Sequence, residues 1–490
     1  MGRHTKQIGA TLGVDRRASG YYSTPEFVAT FIADQLLELN PAGQWLLDPC
    51  VGRGEMAAPF VEQGVAVDGF DVLPFPAQPG VRFSRRDFLQ YFADEQRAAS
   101  PDHPISLPYD FIVANPPYNC HEVEYIRDNK ELLSRVFSSV GAHNMYSMFL
   151  SAIVESAREG ALIGVLTLDS FLTARAHVEL RRQILRECAV HHLLLCPTDL
   201  FLQQHADVRT CILILQKGKR FQGQTRVLNR PLTSLQFQEA LHKRQFETVS
   251  LSDLVLTESG DRDQFLVGVP SELRALFAEQ RLGERFNCVT GISTGDDRQY
   301  LSKTKRPNFT IPFYKNPGTR KFYTCPNAFL TDNFVEVSHR VPNFMVRNKD
   351  ILGQPGITCS SMGVEFSACY LPANSTFGVN PNIILSDAET WWLMAYLNSD
   401  VATYLIRGVL IRSNMVTSGY VSRLPVPRLS RQTRQHLGHL ARSAHDLAIL
   451  GRPLDHLLTE INLGLAVELG LSRETSAALA YFKRNLIRAT

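Results

Sequence analysis

None of the nine cysteines forms a C-x-x-C pair, and several sit inside apolar runs. That usage argues against a zinc site and against a disulfide framework, so no metal is expected, and it fits a reducing cytoplasm. No long uncharged apolar stretch occurs, and Met1 is followed by a polar segment. Neither a signal peptide nor a membrane span is therefore expected. Repeats and low-complexity tracts are lacking as well. Charge of one sign is not in excess: 51 Lys and Arg face 48 Asp and Glu, a net +3. The chain is no polycation, so any nucleic-acid surface must be a local patch. At 490 residues it is too long for one core, and two or three domains are expected.

Strands and helices alternate over roughly the first 220 residues. Residues 1–20 are polar and basic and read as a flexible arm. Thr24 and Pro25 predict a helix start, with Thr24 as N-cap and Pro25 at the first helical position; Phe27, Val28, Phe31, Ile32 and Leu36 then follow at helical spacing. Strands are predicted at 44–47, 65–70, 81–84, 110–114, 161–168, 190–195 and 210–216, and helices notably at 145–158 and 175–187. This is the α/β pattern of a doubly wound, mainly parallel sheet of seven strands. Only a loop separates the last two strands, so the final one is expected to pair antiparallel. The pattern weakens after Lys217. Residues 285–425 are rich in Asn, Thr, Ser, Pro and aromatics, and from Arg428 leucines return at helical spacing.

Two stretches carry chemistry. In "WLLDPCVGRGEM", 45–56, a strand runs into Asp48, Pro49, Gly52 and Gly54, where glycines let a ligand approach the backbone before a helix. Alone this pattern also suits a dinucleotide. The second strand ends in Asp71 and Val72, placing a carboxylate where it could accept ribose hydroxyls. The third is followed by Asp87 and Phe88, an acceptor for an exocyclic amine beside a ring that could pack on adenine. A strand-end turn for Asp71 and a helix N-cap for Asp87 are the plain structural alternatives. A carboxylate at Asp48 would repel a pyrophosphate and favour a cationic methionine moiety, which points to S-adenosyl-L-methionine. In "YDFIVANPPYNC", 109–120, two prolines force the chain out of the sheet at Asn115, at the carboxyl end of a buried strand.

Tyr22-Ser-Thr24-Pro25, Asp48 to Gly54, Asp71, Asp87-Phe88 and Asn115-Pro116-Pro117-Tyr118, in that order, resemble the gamma-class (TaqI-like) DNA adenine-N6 methyltransferases of restriction–modification and related systems. The likeness is close over about the first 220 residues and loose beyond. One departure is that the glycine loop runs on into Glu55-Met56, where the family often has an aromatic. The resemblance implies an S-adenosyl-L-methionine-dependent methyltransferase sheet over 21–275, a mixed α+β target-recognition domain over 276–427 and a helical segment over 428–490. It implies cofactor contacts from Tyr22, Thr24, Asp48, Pro49, Gly52, Gly54, Asp71, Val72, Asp87, Phe88 and Asn115. It also implies catalysis by the Asn115 side-chain carbonyl and the Pro116 carbonyl, both accepting from the target amine. Tyr118 and Phe201 would stack on the two faces of a flipped-out adenine.

Double-stranded DNA is then the substrate, with room for a separate cognate restriction endonuclease as partner. Between Lys303 and Lys349 nine Lys and Arg face two acids, and Lys305, Arg306, Arg320 and Lys321 are the expected phosphate contacts. A methyltransferase for a protein glutamine or an RNA amino group shares Asn-Pro-Pro-Tyr but not so long a following domain. A catalytically silent DNA-binding subunit would not need Asp48, Asn115 and Tyr118 together.

Overall fold

The computed structural model describes residues 21–486, apart from 76–77, 101–103, 120–123, 205–207, 219–222, 258–262, 364 and 412–414. The arm expected over 1–20 lies outside the described residues. Two compact units are present, one ending at Gly268 and the other starting at Val269. The division precedes the expected 275 for a physical reason. Glu272, on the helix Ser271–Ala275, accepts from Ser472 N at 3.2 Å and Thr475 Oγ1 at 2.9 Å, which ties that helix to the second unit.

The first unit is built on one mixed sheet: β1 (Trp45–Asp48), β2 (Ala66–Asp71), β3 (Val81–Arg85), β4 (Phe111–Ala114), β5 (Leu162–Leu168), β6 (Cys188–Leu195), β7 (Thr210–Lys217), β8 (Thr225–Leu228) and β9 (Glu247–Val249). Their order is β3-β2-β1-β4-β5-β7-β6-β8-β9. The first five are parallel, and β7 runs antiparallel between β5 and β6, as its short connection predicts. Among the described residues the sheet has nine strands, two more than expected. β8 and β9 are short and extend the edge beyond β6, so they leave too little periodicity to be read from sequence.

β4 is buried on both faces, and its residues alternate between two cores. Phe111 and Val113 join the core under α1 (Glu26–Leu39), while Ile112 and Ala114 join the core beneath α2 (Phe88–Ala98) and α3 (Met145–Ser156). α4 (Val178–Glu187) leads into β6. α1 lies close on β5, where a Cβ on Gly164 would meet Ile32 at 2.5 Å. Asp169 after β5 and Arg230 after β8 form a buried ion pair, and Arg230 also donates to the Cys196 carbonyl after β6. The start of α1 differs from expectation. Pro25 precedes the first helical residue and its carbonyl accepts from Val28 N and Ala29 N; the Thr24 hydroxyl does not cap the helix.

The second unit holds two small four-stranded sheets. One is antiparallel, from Asn287–Val289, Asn382–Ile384, Gly356–Cys359 and Ala368–Leu371. The other comes from Leu301–Ser302, Ala328–Leu330, Ile311–Tyr314 and Thr376–Phe377. α5 (Asp387–Leu397) is buried from Thr390 to Leu397 and packs against α6 (Arg431–Ile449). α7 (Asp455–Glu468) packs on α6, and α8 (Arg473–Arg484) follows it. The helices expected after 428 thus build into the second unit. No helix is long and apolar enough to cross a membrane, and no cluster of metal-ligating side chains occurs among the described residues.

Candidate active site

The strand order reverses between β1 and β4, so their carboxyl ends open a crevice at the switch point. Asp48 ends β1, and Asn115 follows β4 directly. Asn115 is half-buried, and both of its amide hydrogens are used: Nδ2 donates to the Tyr22 carbonyl at 2.8 Å and to Thr24 Oγ1 at 3.0 Å. Thr24 is thus drawn off capping α1. That network assigns the amide orientation and leaves Oδ1 as the acceptor. Tyr118 OH donates to Oδ1 at 2.6 Å. Burial pushes the Tyr118 phenol well above its usual range, so it stays a neutral donor. Pro116 is buried, and among the described residues none donates to its carbonyl. The Asn119 carbonyl accepts from Met145 N at 2.9 Å, which anchors the turn on the start of α3.

Aromatic placement differs from expectation. Tyr22 and Tyr118 stack with centroids 5.5 Å apart and planes 23° apart. Phe201 is 0 % exposed; it packs behind both rings, 5.7 Å from Tyr22 and 6.2 Å from Tyr118. Phe201 therefore presents no free face to a base and acts as backing for the pair.

The glycine loop is tight. Gly52 and Gly54 have φ of 54° and 80°, which a side chain would strain. Asp48 is buried and accepts from Cys50 N at 3.1 Å. Its own burial, and then the Asp71 and Glu55 carboxylates nearby, raise its pKa well above the usual carboxylate range. Asp71 ties the loop to β2 by accepting from Gly52 N at 3.0 Å and Leu73 N at 2.9 Å. Burial raises its pKa too, against the lowering effect of those amides. Pro49 is buried under the loop, whereas Val72 stands half exposed beside Asp71.

Asp87 caps α2: Oδ1 accepts from Leu89 N at 2.9 Å and Gln90 N at 3.2 Å, and Oδ2 accepts from Tyr125 OH at 2.8 Å. Phe88 is turned into the core against Phe149, with centroids 5.6 Å apart. Its ring is not offered to a ligand, because residue 88 opens α2 on the buried face of that helix. Of Val72 and Phe88, both expected as cofactor contacts, Val72 is accessible and Phe88 is not.

In the second unit the four expected basic contacts divide. Lys305, Arg306 and Arg320 are exposed. Arg306 lies over Phe309 at 4.6 Å and donates from Nε to Ser302 Oγ at 3.1 Å. Lys321 is a structural residue instead. Its side chain is 8 % exposed, pairs with Glu365 at 2.7 Å and donates to the Asn398 carbonyl at 3.1 Å. Those partners lie 44 and 77 residues away, so no local pattern marks it.

Three side chains near the crevice escaped sequence reasoning. Tyr125 holds Asp87. Glu55 Oε1 accepts from Tyr21 OH at 2.5 Å and Ser23 Oγ at 2.7 Å. Gln204 accepts from Ser23 N at 2.9 Å and donates to Ser23 O at 2.7 Å. Only Glu55 left a sequence signal, as a departure in the glycine loop.

Residues 92–265 match the family model described as N-6 DNA Methylase. Over 201 residues the chain is 27 % identical to the Type II methyltransferase M.BanIII of Aneurinibacillus aneurinilyticus, covering 36 % of this chain and 34 % of that protein. The chain thus spans about a third of the length of that curated relative. Among solved structures it is similar to DrdV in a DrdV–DNA complex, with 12 % identity, a TM-score of 0.51 and coverage of 88 % of this chain and 57 % of that one. It is also similar to a nuclease-deletion mutant of the Type ISP restriction–modification enzyme LlaGI in complex with a DNA substrate mimic. There the identity is 13 %, the TM-score 0.52, and the coverage 87 % and 55 %. These structural likenesses concern the fold alone.

Proposed function

We propose, from the match of residues 92–265 to the N-6 DNA Methylase family model and the geometry at Asn115, that the chain methylates N6 of an adenine flipped out of double-stranded DNA, within a restriction–modification or related system. The orientation of Asn115 carries the reading. With both amide hydrogens engaged, its carbonyl oxygen is left to accept, beside the buried Pro116 carbonyl. An aromatic amine is a weak nucleophile because its lone pair is delocalised. Two acceptors aimed at its two N–H bonds draw the nitrogen toward tetrahedral geometry and localise that pair. Both acceptors are fixed in advance, so they cost no reorganisation during reaction. Tyr118 OH uses one lone pair of Asn115 Oδ1, and the second is available to the amine. The Tyr118 ring, backed by Phe201 and Tyr22, is the surface on which the base would stack.

S-adenosyl-L-methionine supplies an electrophilic methyl group when bound. The residues present fit it. Asp48 and Asp71 bring two carboxyl groups together at the crevice, and the burial and repulsion that raise the Asp48 pKa would be relieved by a cationic ligand and worsened by a pyrophosphate. Asp71 is the ribose acceptor in this reading, and Val72 offers an apolar face to adenine. The Asp87 oxygens already serve α2 and Tyr125, so an exocyclic amine would share one of them. Thr24, Pro49, Gly52 and Gly54 shape the pocket. Asp71→Ala is expected to weaken cofactor binding by about 1–3 kcal/mol, the range for lost hydrogen bonds to a charged acceptor. Calorimetry with unchanged affinity would move the ribose contact elsewhere.

The second unit is read as the target-recognition part. Lys305, Arg306 and Arg320 are its proposed phosphate contacts; Lys321 is not. Replacing Lys305 and Arg320 should lower DNA affinity with little regard to sequence, and each lost contact should flatten the slope of log K against log salt by about 0.9. An unchanged slope in a salt titration means that the segment is only a solvated face. The function itself is tested by incubating the protein with methyl-labelled S-adenosyl-L-methionine and random-sequence duplex DNA, then analysing nucleosides. Label in N6-methyldeoxyadenosine is expected; label in a cytosine deoxynucleoside, or none, refutes the assignment.

A further inference from the structure

Residues 21–25 form a strap across the crevice, and their bonds run to three separate elements. The Tyr22 carbonyl and Thr24 hydroxyl hold the Asn115 amide. On one side Glu55, in the glycine loop, accepts from Tyr21 and Ser23 through a single oxygen. On the other side Gln204, after β6, pairs with both backbone groups of Ser23 in the manner of a strand partner. The Tyr21 ring lies directly on Gly52, where an added Cβ would come within 2.6 Å of it.

We propose that Glu55 and Gln204 are positioning residues: by pinning Ser23 from two sides they hold the strap in the register that fixes the Asn115 amide. The physical reason is the near-symmetry of a carboxamide. Its oxygen and nitrogen are almost equal in shape, and only hydrogen bonding decides which faces the crevice. With the strap in place both N–H groups have acceptors. With it displaced, a half-turn of the amide becomes accessible and presents a donor to an amine that is itself a donor. Tyr118 OH favours the native orientation but cannot fix it alone, because a hydroxyl also accepts. Glu55 therefore acts on the reaction through backbone and hydroxyl groups, without touching the reacting nitrogen.

This inference rests on the methyltransferase reading, and its test separates the two. Single-turnover methylation of an unmethylated random-sequence duplex is measured at saturating S-adenosyl-L-methionine, beside the Kd for S-adenosylhomocysteine, for the full chain. Glu55→Ala and Gln204→Ala should each slow the step by about tenfold while leaving the Kd nearly unchanged. Glu55→Gln should recover most of the rate, since its carbonyl still accepts from both hydroxyls. The double Ala variant should be little slower than either single one, because both act through one strap. Gln204→Ala carries the test if Glu55→Ala does not fold. The proposal is overturned if Glu55→Ala weakens S-adenosylhomocysteine binding yet keeps the saturated rate, which would make Glu55 a ligand residue. Independent, multiplicative losses in the double variant overturn it too. A wild-type chain that binds S-adenosylhomocysteine but methylates nothing, or binds none, removes the underlying reading as well, since the strap would then have no reaction to serve.

Discussion

Asn115→Ala is expected to lose methyl transfer by about a hundredfold or more, the usual effect of removing one preorganised hydrogen-bonding group from a reacting centre. The loss should appear in turnover and not in cofactor affinity, because the carboxyl groups of the crevice stand on other strand ends. The substitution also takes one hydrogen-bond partner from each of the Tyr22 carbonyl, Thr24 Oγ1 and Tyr118 OH. Asn115→Asp provides the sharper comparison. It keeps an acceptor toward the crevice but replaces the two donors by an oxygen facing the Tyr22 carbonyl. If outward acceptance alone sufficed, Asp would work; if orientation by the strap matters, it should fail nearly as badly as Ala. Near-normal single-turnover rates in the Ala variant would remove Asn115 from the mechanism.

Arg230→Met is expected to destabilise the first unit by about 3–5 kcal/mol, the range for breaking one side of a buried ion pair. The side chains of Asp169 and Arg230 are 0 % and 4 % exposed. Removing the guanidinium takes the positive charge away from a buried carboxylate and also takes a donor from the Cys196 carbonyl. The segments after β5, β6 and β8 meet at this one group, so its loss unfastens three connections at the carboxyl edge of the sheet. The double substitution Asp169→Leu with Arg230→Met should regain much of the stability, since no buried charge is then left unpaired. Urea titration, following the transition of the first unit, distinguishes these outcomes. A single variant within about 1 kcal/mol of the parent would assign the pair to the surface-like class that contributes little.

The sequence by itself determined the central sheet as far as β7, the end of each of those strands to within two residues, and the place of Asp48 and Asn115 at the carboxyl ends of two strands. These follow from local rules. Buried strands leave apolar runs, prolines end them, and alternating strand and helix permits few windings of the chain. The glycine loop was legible for the same reason, since positive φ favours glycine wherever it is required. What only the tertiary structure decided are the side-chain directions. Thr24 has the residue type and position of a helix cap, yet its hydroxyl serves an amide 91 residues away. Phe88 and Phe201 stand beside functional residues in sequence, yet both rings face the core. One opens a helix on its buried side, and the other fills the space behind Tyr118. Lys321 is one of a run of cations, yet a glutamate and a carbonyl brought from distant segments hold it inside. A residue's type and neighbours set which bonds it is able to make. Which of them it does make depends on groups supplied from far along the chain, and only the folded chain brings those groups within reach.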